Sequence, residues 1–584
     1  MPRTAEPSAH RSASVFLWLL LAVGFGLRVW GIAFASSAPL ARPDEATFAI
    51  EGLAMFTRPY GRLGTGWPDG FFMIWHVMLR LERSWFDLVH GAGKTNLGCL
   101  ITVNPLAVIL PVRLLSAFLG TATAYVVGKL AATLAPARAR EAALWGTALY
   151  AVNYLVGRDG HFAVSDTALC LGVALTLLAC ARAAAGNLAW LPWAGFFAGC
   201  SFSIKYSGAG LIVPCVAAGA IAAYRRRRDA MLPLALAVVA AAIGVIALAP
   251  QALTHAADFK QGLLSLADRY DPGTEPARTL RGWIVFPLMV LPASFGVPGY
   301  ALCLAGLGWA MRRVSFVGAP LLLHVLGTYV LLLGGLQLVF VRYGSPLVPA
   351  LAAAGGAFAV TLLDRVCARF DIPRAAATAT LAILALAPPA VRLAQFDHLL
   401  SRPDTRDLAR DWLIGRGAEM TVLTEGGWGH VQAVEARHAE ICRQELPAAL
   451  WQPTPVLSSA NQPTPSGMGM SGWGPIGNAG INWYLFGEGE QRLALPPLHE
   501  AAAPDFLARS RGPHEFGAMS GESNWGERDP ACWTEAAHFS PGDLDAPQWD
   551  PYDAFFAPFV GFSALERPGP EIFIYENRCK HAGS

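Results

Sequence analysis

Apolar runs of about 20 residues recur along this chain, and each is long enough to cross a bilayer as a helix. They follow one another from Val15 to beyond Ile383. Composition agrees, because 54% of the 584 residues are hydrophobic and only 15% are charged, whereas soluble domains carry about 25% charged residues. One soluble core cannot bury so much apolar surface. We therefore predict a mainly α-helical protein, built as a polytopic transmembrane helical bundle.

Hydropathy predicts about eleven spans. They cover residues 15–36, 106–134, 141–158, 162–184, 190–205, 208–224, 230–250, 283–310, 315–338, 345–363 and 374–393. The first apolar run, Val15 to Phe34, is longer than the core of a signal peptide, so we expect it to remain as a span. Between residues 141 and 205 several spans are rich in Ala and Gly rather than Leu, so a merged or split helix pair is the alternative there.

Basic residues predict the orientation, because short cytoplasmic connections retain Lys and Arg during insertion. With the N-terminus inside, every second connection is basic. The residues that form this pattern are Arg3, Arg11, Arg138, Arg140, Arg182, Arg225, Arg226, Arg227, Arg228, Arg312, Arg313, Arg365, Arg369 and Arg374. We therefore predict a cytoplasmic N-terminus at 1–14, a transmembrane domain at 15–393 with a long first outward loop at 37–105, and an outward soluble domain at 394–584.

The outward regions contain several recognisable local patterns. Residues 69–80 are apolar over too short a distance to span, so we predict an interfacial helix with Trp75 and Trp85 at the level of the lipid headgroups. In the tail, Asp404 to Leu413 has an acidic first turn and helical spacing, and Met420 to Leu423 and Glu571 to Tyr575 read as strands. The tail is therefore predicted to be a small α/β domain.

The Gly-rich stretch from Ser466 to Gly480 lacks the spacing of a nucleotide-binding loop. We predict an irregular surface loop there, and we find no nucleotide-binding domain elsewhere in the chain.

The ten cysteines fall into two groups. Six lie in or beside predicted spans and are expected to be packing residues. The other four lie in outward segments, where one or two disulfides are expected and the pairing is left open; they are Cys99, Cys442, Cys532 and Cys579. No spacing typical of a zinc site occurs.

Polar and ionisable residues occur in each predicted outward connection close to a membrane boundary. Asp44 and Glu45 follow the first span, and Pro43 before them suits the first turn of a helix, whose dipole favours acidic residues. Taken alone, such a pair is more often structural than catalytic. The other outward candidates are Arg158, His161, Asp166, Lys205, Arg342 and Tyr343. Ionisable groups near a membrane usually mark function.

A structural alternative exists for each of these candidates. Arg158 or Arg342 can extend to lipid headgroups, and His161 can be a hydrogen-bonded loop residue. Asp166 can cap the following helix. As a set, however, they combine carboxylates with cations on one side of the membrane. A carboxylate can act as a general base, and Lys and Arg can stabilise a departing phosphate, so the set describes glycosyl transfer from a lipid phosphate.

Several short motifs contain these candidates or lie near them. They are Asp44-Glu45, Val112 to Thr121, His161 to Leu169, Ser203 to Gly208, Arg342-Tyr343 with Pro346 and Pro349, and the tail segments Asp404 to Leu413 and Phe555 to Tyr575. Together they resemble the protein O-mannosyltransferase and aminoarabinose transferase superfamily of C-type membrane glycosyltransferases, and the resemblance covers nearly the whole chain.

This resemblance implies the fold and the activity of that superfamily. It implies an inverting transfer of a sugar from a polyprenyl-phosphate donor to a lipid, glycan or protein hydroxyl at the outer face of a bacterial inner membrane, with the tail in the periplasm. Asp44 is the implied catalytic carboxylate and Glu45 its support. Lys205, Arg342, Tyr343 and Arg158 are the expected phosphate-binding residues, with Asp166 and His161 as further site residues.

Other partners and other functions remain to be weighed. We expect no essential cofactor or metal, although Asp44 and Asp166 allow a shared divalent cation if they meet. Membrane lipids are expected neighbours, and no nucleic acid is expected. One alternative is a transporter or flippase for a lipid-linked or anionic substrate. The other is an inactive scaffold whose tail binds a partner.

Overall fold

The computed structural model describes sixteen stretches of the chain. They are residues 7–36, 43–56, 68–91, 95–257, 259–262, 264, 281–313, 316–334, 340–417, 420–425, 431, 434–453, 455–457, 504–511, 530–550 and 557–581. The predicted loop from Ser466 to Gly480 lies outside them. The chain forms two compact units. The helical unit comprises Met1–Trp30, Gly66–Phe71 and Leu114–Asp397, and the loop–tail unit comprises Gly31–Thr65, Phe72–Arg113 and His398–Ser584.

Helices dominate the described residues, which confirms the predicted class. Up to residue 254 they are α1 (Pro7–Val29), α2 (Pro43–Ala54), α3 (Gly70–His90), α4 (Leu97–Val103), α5 (Pro105–Leu134), α6 (Ala139–Ala151), α7 (Tyr154–Asp159), α8 (Ser165–Ala184), α9 (Leu191–Ile204), α10 (Ile212–Leu248) and α11 (Gln251–Thr254). The later helices are Arg281–Val285, Leu291–Phe295, Val297–Arg313, Ala319–Gly327, Val348–Phe370, Arg374–Leu400, Thr405–Ile414, Ala436–Glu445 and Arg578–His581.

Shorter turns connect some of these helices. Two are π-helical, Phe286–Val290 and Thr328–Leu333. The 3-10 turns are Pro136–Arg138, Leu188–Trp190, Tyr206–Leu211, Val341–Leu347, Pro530–Cys532 and Phe562–Ala564.

Fewer helices qualify as spans than the sequence predicts. By length and composition, five helices of the described chain are apolar enough to cross a membrane, or six if one bent pair counts as a single span. The five are Pro105–Leu134, Ser165–Ala184, Tyr206–Leu248, Val341–Phe370 and Arg374–Ile414. Three shorter apolar helices accompany them: Ser14–Val29, Leu188–Ile204 and Ala319–Val330. The predicted number of about eleven spans is therefore not confirmed.

Local breaks explain part of the difference. The predicted span at 141–158 is interrupted because Asn153 accepts a hydrogen bond from Val156 N and so caps the start of α7. The predicted span at 283–310 bends by 113° beside Gly296, whose φ of +69° ends the preceding helix. By contrast, the break predicted between 224 and 230 is confirmed, because Arg226 and Arg227 have non-helical dihedral angles inside α10.

Close helix packing inside the helical unit depends on glycine. A Cβ atom at Gly195 or Gly199 of α9 would lie 2.0 or 2.1 Å from a backbone carbonyl oxygen of α10. Small residues four apart allow two helices to approach closely in a membrane, where van der Waals contact drives their association. This spacing lets α9 and α10 pack directly together. The adjoining α8 is largely buried in the same unit, which gives the side chains on it a rigid support.

Helix α3 is longer than the predicted interfacial helix, and the position predicted for one of its two tryptophans is wrong. Trp75 is fully buried and packs where Gly52 of α2 leaves room, so it cannot lie among headgroups. Trp85, in contrast, is 61% exposed on the same apolar face as Leu81 and Leu88. An interfacial position for that face stays a prediction.

The tail contains a six-stranded mixed sheet, as the predicted α/β class requires. The strands are β1 (Thr421–Glu425), β2 (Val434–Glu435), β3 (Val456–Leu457), β4 (Phe506–Arg511), β5 (Trp533–Phe539) and β6 (Glu571–Asn577), in the order β2-β3-β1-β4-β6-β5. The first four in that order are parallel, and β6 pairs antiparallel with β4 and β5. The two predicted strands are confirmed as β1 and β6, but β4 lies between them.

The helix Thr405–Ile414 packs on this sheet through apolar side chains. Ala409 and Leu413 share a buried cluster with Val422 of β1, Phe506 of β4 and Ile574 of β6. This arrangement confirms that the sequence pattern of the tail is a helix feeding a strand. It also fixes where the first turn of that helix lies.

Two disulfides form in the loop–tail unit, and they settle the pairing that the sequence leaves open. Cys99 of α4 pairs with Cys442 of the helix Ala436–Glu445, and Asn96 donates a hydrogen bond to Glu445 beside it. Cys532 pairs with Cys579. The six remaining cysteines are free and at least partly buried, as expected of packing residues.

Loss of the Cys99–Cys442 disulfide should destabilise the protein. In the double variant Cys99→Ser/Cys442→Ser, the free energy of unfolding is expected to fall by about 2–5 kcal/mol, because the unfolded chain regains the conformational freedom that the cross-link removes. Thermal unfolding of the purified chain in detergent measures the change. The matched control is Cys367→Ser, a free and partly buried thiol, where a change within about 0.5 kcal/mol is expected. Equal effects of the two substitutions would show that the disulfide adds no stability.

Candidate active site

The acidic pair lies at the start of α2, as predicted. Pro43 begins the helix, and Asp44 and Glu45 occupy its first turn. Both side chains are buried, with 4% and 0% exposure. The partial positive charge at a helix N-terminus favours carboxylates there. Burial nevertheless makes an isolated carboxylate costly, so a cation is required nearby.

Arg113 of α5 is that cation for Glu45. Its Nε donates to Glu45 Oε1 and its Nη2 donates to Glu45 Oε2, both at 2.9 Å, which makes the ion pair bidentate. Arg113 is itself only 1% exposed. Such parallel hydrogen bonds hold a carboxylate in one orientation. Arg113 lies within the motif Val112 to Thr121, but the sequence alone indicates no role for it. The available signal is a lone arginine in an apolar predicted span, which needs a partner.

The rest of the Arg113 side chain is held by the residues that follow α1. Its Nη1 donates to the carbonyl oxygens of Ile32 at 2.8 Å and Phe34 at 3.0 Å, and its guanidinium lies 4.2 Å from the ring centroid of Phe34. Gly31 and Ala35 both have positive φ, +81° and +50°, so this segment turns sharply. The turn supplies two carbonyl oxygens that accept hydrogen bonds from Arg113.

A second group of predicted residues meets inside the helical unit. Lys205 Nζ donates to Asp166 Oδ1 at 2.7 Å and lies 5.1 Å from the centroid of the Tyr343 ring. Asp166 is in the first turn of α8, but Val164 occupies the cap position, so the role of helix cap does not apply to it. Lys205 has extended dihedral angles between α9 and the turn Tyr206–Leu211. Its side chain is 15% exposed, against 2% for Asp166.

Arg342 and Tyr343 lie side by side in the 3-10 turn Val341–Leu347. The guanidinium of Arg342 is 4.7 Å from the ring centroid of Phe340 and 5.9 Å from that of Tyr343. Cation–π contacts of this kind fix the plane of a guanidinium without using its N–H donors. The helical unit thus brings Asp166, Lys205 and Tyr343 together and sets Arg342 next to them.

Arg158 and His161 make different contacts in the same unit. Arg158 is paired with the adjacent Asp159, with its Nη2 at 3.1 Å from Oδ1, and its helix α7 packs against the turn Val341–Leu347. His161 is fully buried. Its Nδ1 lies 3.0 Å from the carbonyl oxygen of Gly157, and its Nε2 lies 3.1 Å from the carbonyl oxygen of Trp30 and 3.2 Å from Asp397. This geometry favours the structural alternative for His161.

One buried acid of the first outward loop is not suggested by any sequence pattern. Glu82 of α3 is 6% exposed, and among the described residues neither of its oxygens has a hydrogen-bond partner. Burial raises the pKa of its carboxyl group to about 9, because removal from water disfavours the charged form. Glu82 is therefore expected to carry a proton at neutral pH.

The described residues offer no obvious metal site. No group of three or more His, Cys, Asp or Glu side chains in the described ranges has an arrangement that could hold a metal ion.

The two groups of polar residues described above, one in each unit, differ in their charges. The loop–tail group has two acids and Arg113. The helical group has Asp166 and Asp159 with Lys205, Arg342 and Arg158, and so offers more positive charge.

Residues 100–253 match the family model described as dolichyl-phosphate-mannose-protein mannosyltransferase. A sequence search against curated proteins finds no match.

The solved structures that match this chain share little sequence with it. The oligosaccharyltransferase of Archaeoglobus fulgidus, tethered with an acceptor peptide, is 13% identical with a TM-score of 0.43, covering 69% of this chain and 57% of that one. Apo ArnT from Cupriavidus metallidurans is 16% identical with a TM-score of 0.40, covering 70% of this chain and 73% of ArnT. The same ArnT bound to undecaprenyl phosphate gives 15% identity, a TM-score of 0.39, and 69% and 72% coverage.

Coverage of the archaeal enzyme is partial, since this chain spans less than two thirds of its length. The family match over residues 100–253 includes Arg113, Arg158, His161, Asp166 and Lys205. The resemblance predicted from the sequence motifs is therefore confirmed: this chain resembles the C-type membrane glycosyltransferases, and its residues 100–253 have the pattern of the dolichyl-phosphate-mannose-protein mannosyltransferases.

Proposed function

We propose that this protein is an inverting membrane glycosyltransferase that moves a sugar from a polyprenyl-phosphate donor to an acceptor hydroxyl. The observation that carries the proposal is the buried acidic pair at the start of α2, in which Glu45 forms a bidentate ion pair with Arg113. An ion pair this well ordered keeps the adjacent carboxylate in a fixed place, as proton transfer requires. The family match over residues 100–253 supports the class of reaction.

The two acids have different roles in this proposal. Both oxygens of Glu45 are engaged by Arg113, so Glu45 is assigned to orientation rather than to proton transfer. Asp44 is the general base that takes the proton from the acceptor hydroxyl as its oxygen attacks the anomeric carbon of the sugar. The bond from that carbon to the phosphate oxygen breaks on the opposite face, so the configuration inverts and polyprenyl phosphate leaves with the bonding electrons.

The cations of the helical unit are assigned to the phosphate of the donor. Lys205 is partly exposed and Asp166 holds its ammonium at 2.7 Å, which orients it without immobilising all three of its N–H groups. Arg342, with Tyr343 beside it, and Arg158 add positive charge in the same unit. Such groups stabilise the negative charge that develops on the leaving phosphate. An additional role of His161 in the site stays a prediction.

The cellular setting is part of the same proposal. The basic connections favour a cytoplasmic N-terminus and an outward tail. The resemblance to the bacterial members of the superfamily implies that the outward side is the periplasm. Two disulfides in the loop–tail unit suit an oxidising compartment. The acceptor is then a lipid, a glycan or a protein at the outer face of the inner membrane.

Transfer by the purified protein tests the proposal. The chain is reconstituted in vesicles with polyprenyl-phosphate sugars labelled in the sugar, and the expected result is labelled acceptor whose anomeric configuration is opposite to that of the donor. Candidate donors and acceptors come from comparing the lipids and glycans of cells with and without the protein. Movement of intact labelled lipid across sealed vesicles, without transfer, would instead establish the transporter. If the protein shows neither transfer nor transport with any donor that the comparison identifies, the inactive scaffold is favoured.

A further inference from the structure

The first turn of the helix Thr405–Ile414 is the part of the tail that is linked to the acidic pair. Asp404 caps this helix by accepting a hydrogen bond from Arg406 N at 2.9 Å. The Arg406 guanidinium folds back on the same carboxylate, with Nε to Oδ1 at 2.9 Å and Nη2 to Oδ2 at 2.8 Å. Both side chains are almost fully buried. The first turn therefore contains a rigid ion pair rather than a solvated charge.

The sheet holds this turn in place. Thr405 N donates to the carbonyl oxygen of Pro568 at 3.1 Å, and its hydroxyl donates to that of Pro570 at 2.6 Å. Gly569 between them has a φ of +110°, and a Cβ atom there would lie 2.1 Å from the Thr405 hydroxyl. The segment from Asp404 to Asp407 is thus fixed to the residues that lead into β6.

Asp407 connects this fixed segment to the turn after α1. Its Oδ2 accepts a hydrogen bond from Ser36 N at 3.0 Å. Ser36 follows Ala35, whose left-handed conformation is strained for a residue with a side chain. The same turn presents the Phe34 carbonyl oxygen to Arg113 at 3.0 Å. A hydrogen bond from the tail therefore stabilises a strained turn that holds the partner of Glu45.

Charge supplies a second link between the tail and the acidic pair. Arg406 interacts electrostatically with Glu45 as well as with Asp404 and Asp407. Burial of an arginine side chain has a desolvation cost of several kcal/mol, which nearby acids must offset. Arg406 therefore offsets some of the negative charge of Glu45 at the start of α2, in addition to what Arg113 offsets.

We propose that the segment Asp404–Asp407 of the tail is a positioning element of the active site. Asp407 holds the turn after α1, this turn orients Arg113, and Arg113 orients Glu45 next to Asp44. The tail then has a part in catalysis in addition to any binding of an acceptor. This inference rests on the proposed function for its kinetic consequences, whereas the contacts themselves can be tested without activity.

The kinetic test compares two substitutions at Asp407 in the full chain, reconstituted in vesicles with labelled donor. Asp407→Ala removes the acceptor of the Ser36 hydrogen bond, and kcat is expected to fall about 10- to 100-fold, because small displacements of reacting groups have effects of this size. KM for the donor is expected to stay within twofold. Asp407→Asn keeps an oxygen that can accept the same hydrogen bond, so it should restore most of kcat. The control is Asp411→Ala, one turn later on the same helix, where the side chain is 70% exposed.

A structural readout separates failure of this inference from failure of the proposed function. Amide hydrogen exchange of residues 31–36 and 43–56 should be faster in Asp407→Ala than in the wild type and in Asp407→Asn, while the helix Thr405–Ile414 keeps its protection. If the wild type transfers no sugar from any donor, the proposed function falls and exchange alone decides the inference. Equal kcat for the alanine and asparagine variants, or unchanged exchange in both, would overturn the positioning role. Loss of protection throughout the tail in Asp407→Ala but not in Asp407→Asn would also overturn it, because Asp407 would then stabilise the tail itself.

Discussion

Replacement of Asp44 by Asn is expected to lower kcat for sugar transfer by about 10²- to 10⁴-fold, the usual contribution of a general base. The amide has the shape of the carboxylate but cannot take a proton from the acceptor hydroxyl at neutral pH. Asn is also a good residue at the start of a helix, so α2 should still form. The loss is therefore expected in kcat, with thermal stability and donor KM nearly unchanged. Single-turnover transfer of labelled sugar in vesicles measures it.

The chain offers a matched control in the same outward loop. Asp87 of α3 also accepts hydrogen bonds, from the N–H and the hydroxyl of Thr95, both at 2.7 Å, but it has no part in the proposed site. Asp87→Asn keeps an oxygen for these bonds and should transfer sugar at close to the wild-type rate. Undiminished transfer by Asp44→Asn, or an equal loss in both variants, would remove Asp44 from the role of base.

Local sequence signals predict the parts of this site that depend on neighbours in the chain. Pro43, Asp44 and Glu45 read as a helix start from three consecutive residues, and α2 begins there. Likewise Asp404 reads as the start of the helix that it caps. The Asp404 carboxylate and the Arg406 N–H that it caps are only two residues apart. Hydrophobic patterning and capping preferences therefore suffice.

Contacts between distant residues are not predictable in the same way. Arg113 lies 68 positions from Glu45, and Cys99 lies 343 positions from Cys442. Nothing in the local pattern chooses between alternative partners at such separations, and four cysteines allow three pairings. The sheet gives another example, because β4 inserts between the two predicted strands. The sequence thus identifies Lys205 and Asp166 as candidates, but only the structure shows that they form a pair at 2.7 Å.

The second large effect is expected at Arg113. Arg113→Met should lower the free energy of unfolding by about 3–5 kcal/mol, because the substitution leaves Glu45 buried without its counter-charge. Two backbone carbonyl groups, of Ile32 and Phe34, also lose their donor. Transfer should be lost as well, since the orientation of the acidic pair depends on this side chain. Chemical unfolding in detergent, followed by tryptophan fluorescence, measures the stability.

A surface arginine provides the control for this substitution. Arg138 forms ion pairs with Glu141 and Asp364, but its side chain is 44% exposed, so Arg138→Met should change the stability by no more than about 1 kcal/mol. The double variant Glu45→Gln/Arg113→Met removes both charges and should regain much of the stability that Arg113→Met loses, while sugar transfer stays low. A double-mutant cycle gives the coupling directly. Additive losses would mean that Glu45 and Arg113 do not stabilise each other. Transfer restored together with stability would mean that the pair only supports the fold, and Asp44 would then need another residue to orient it.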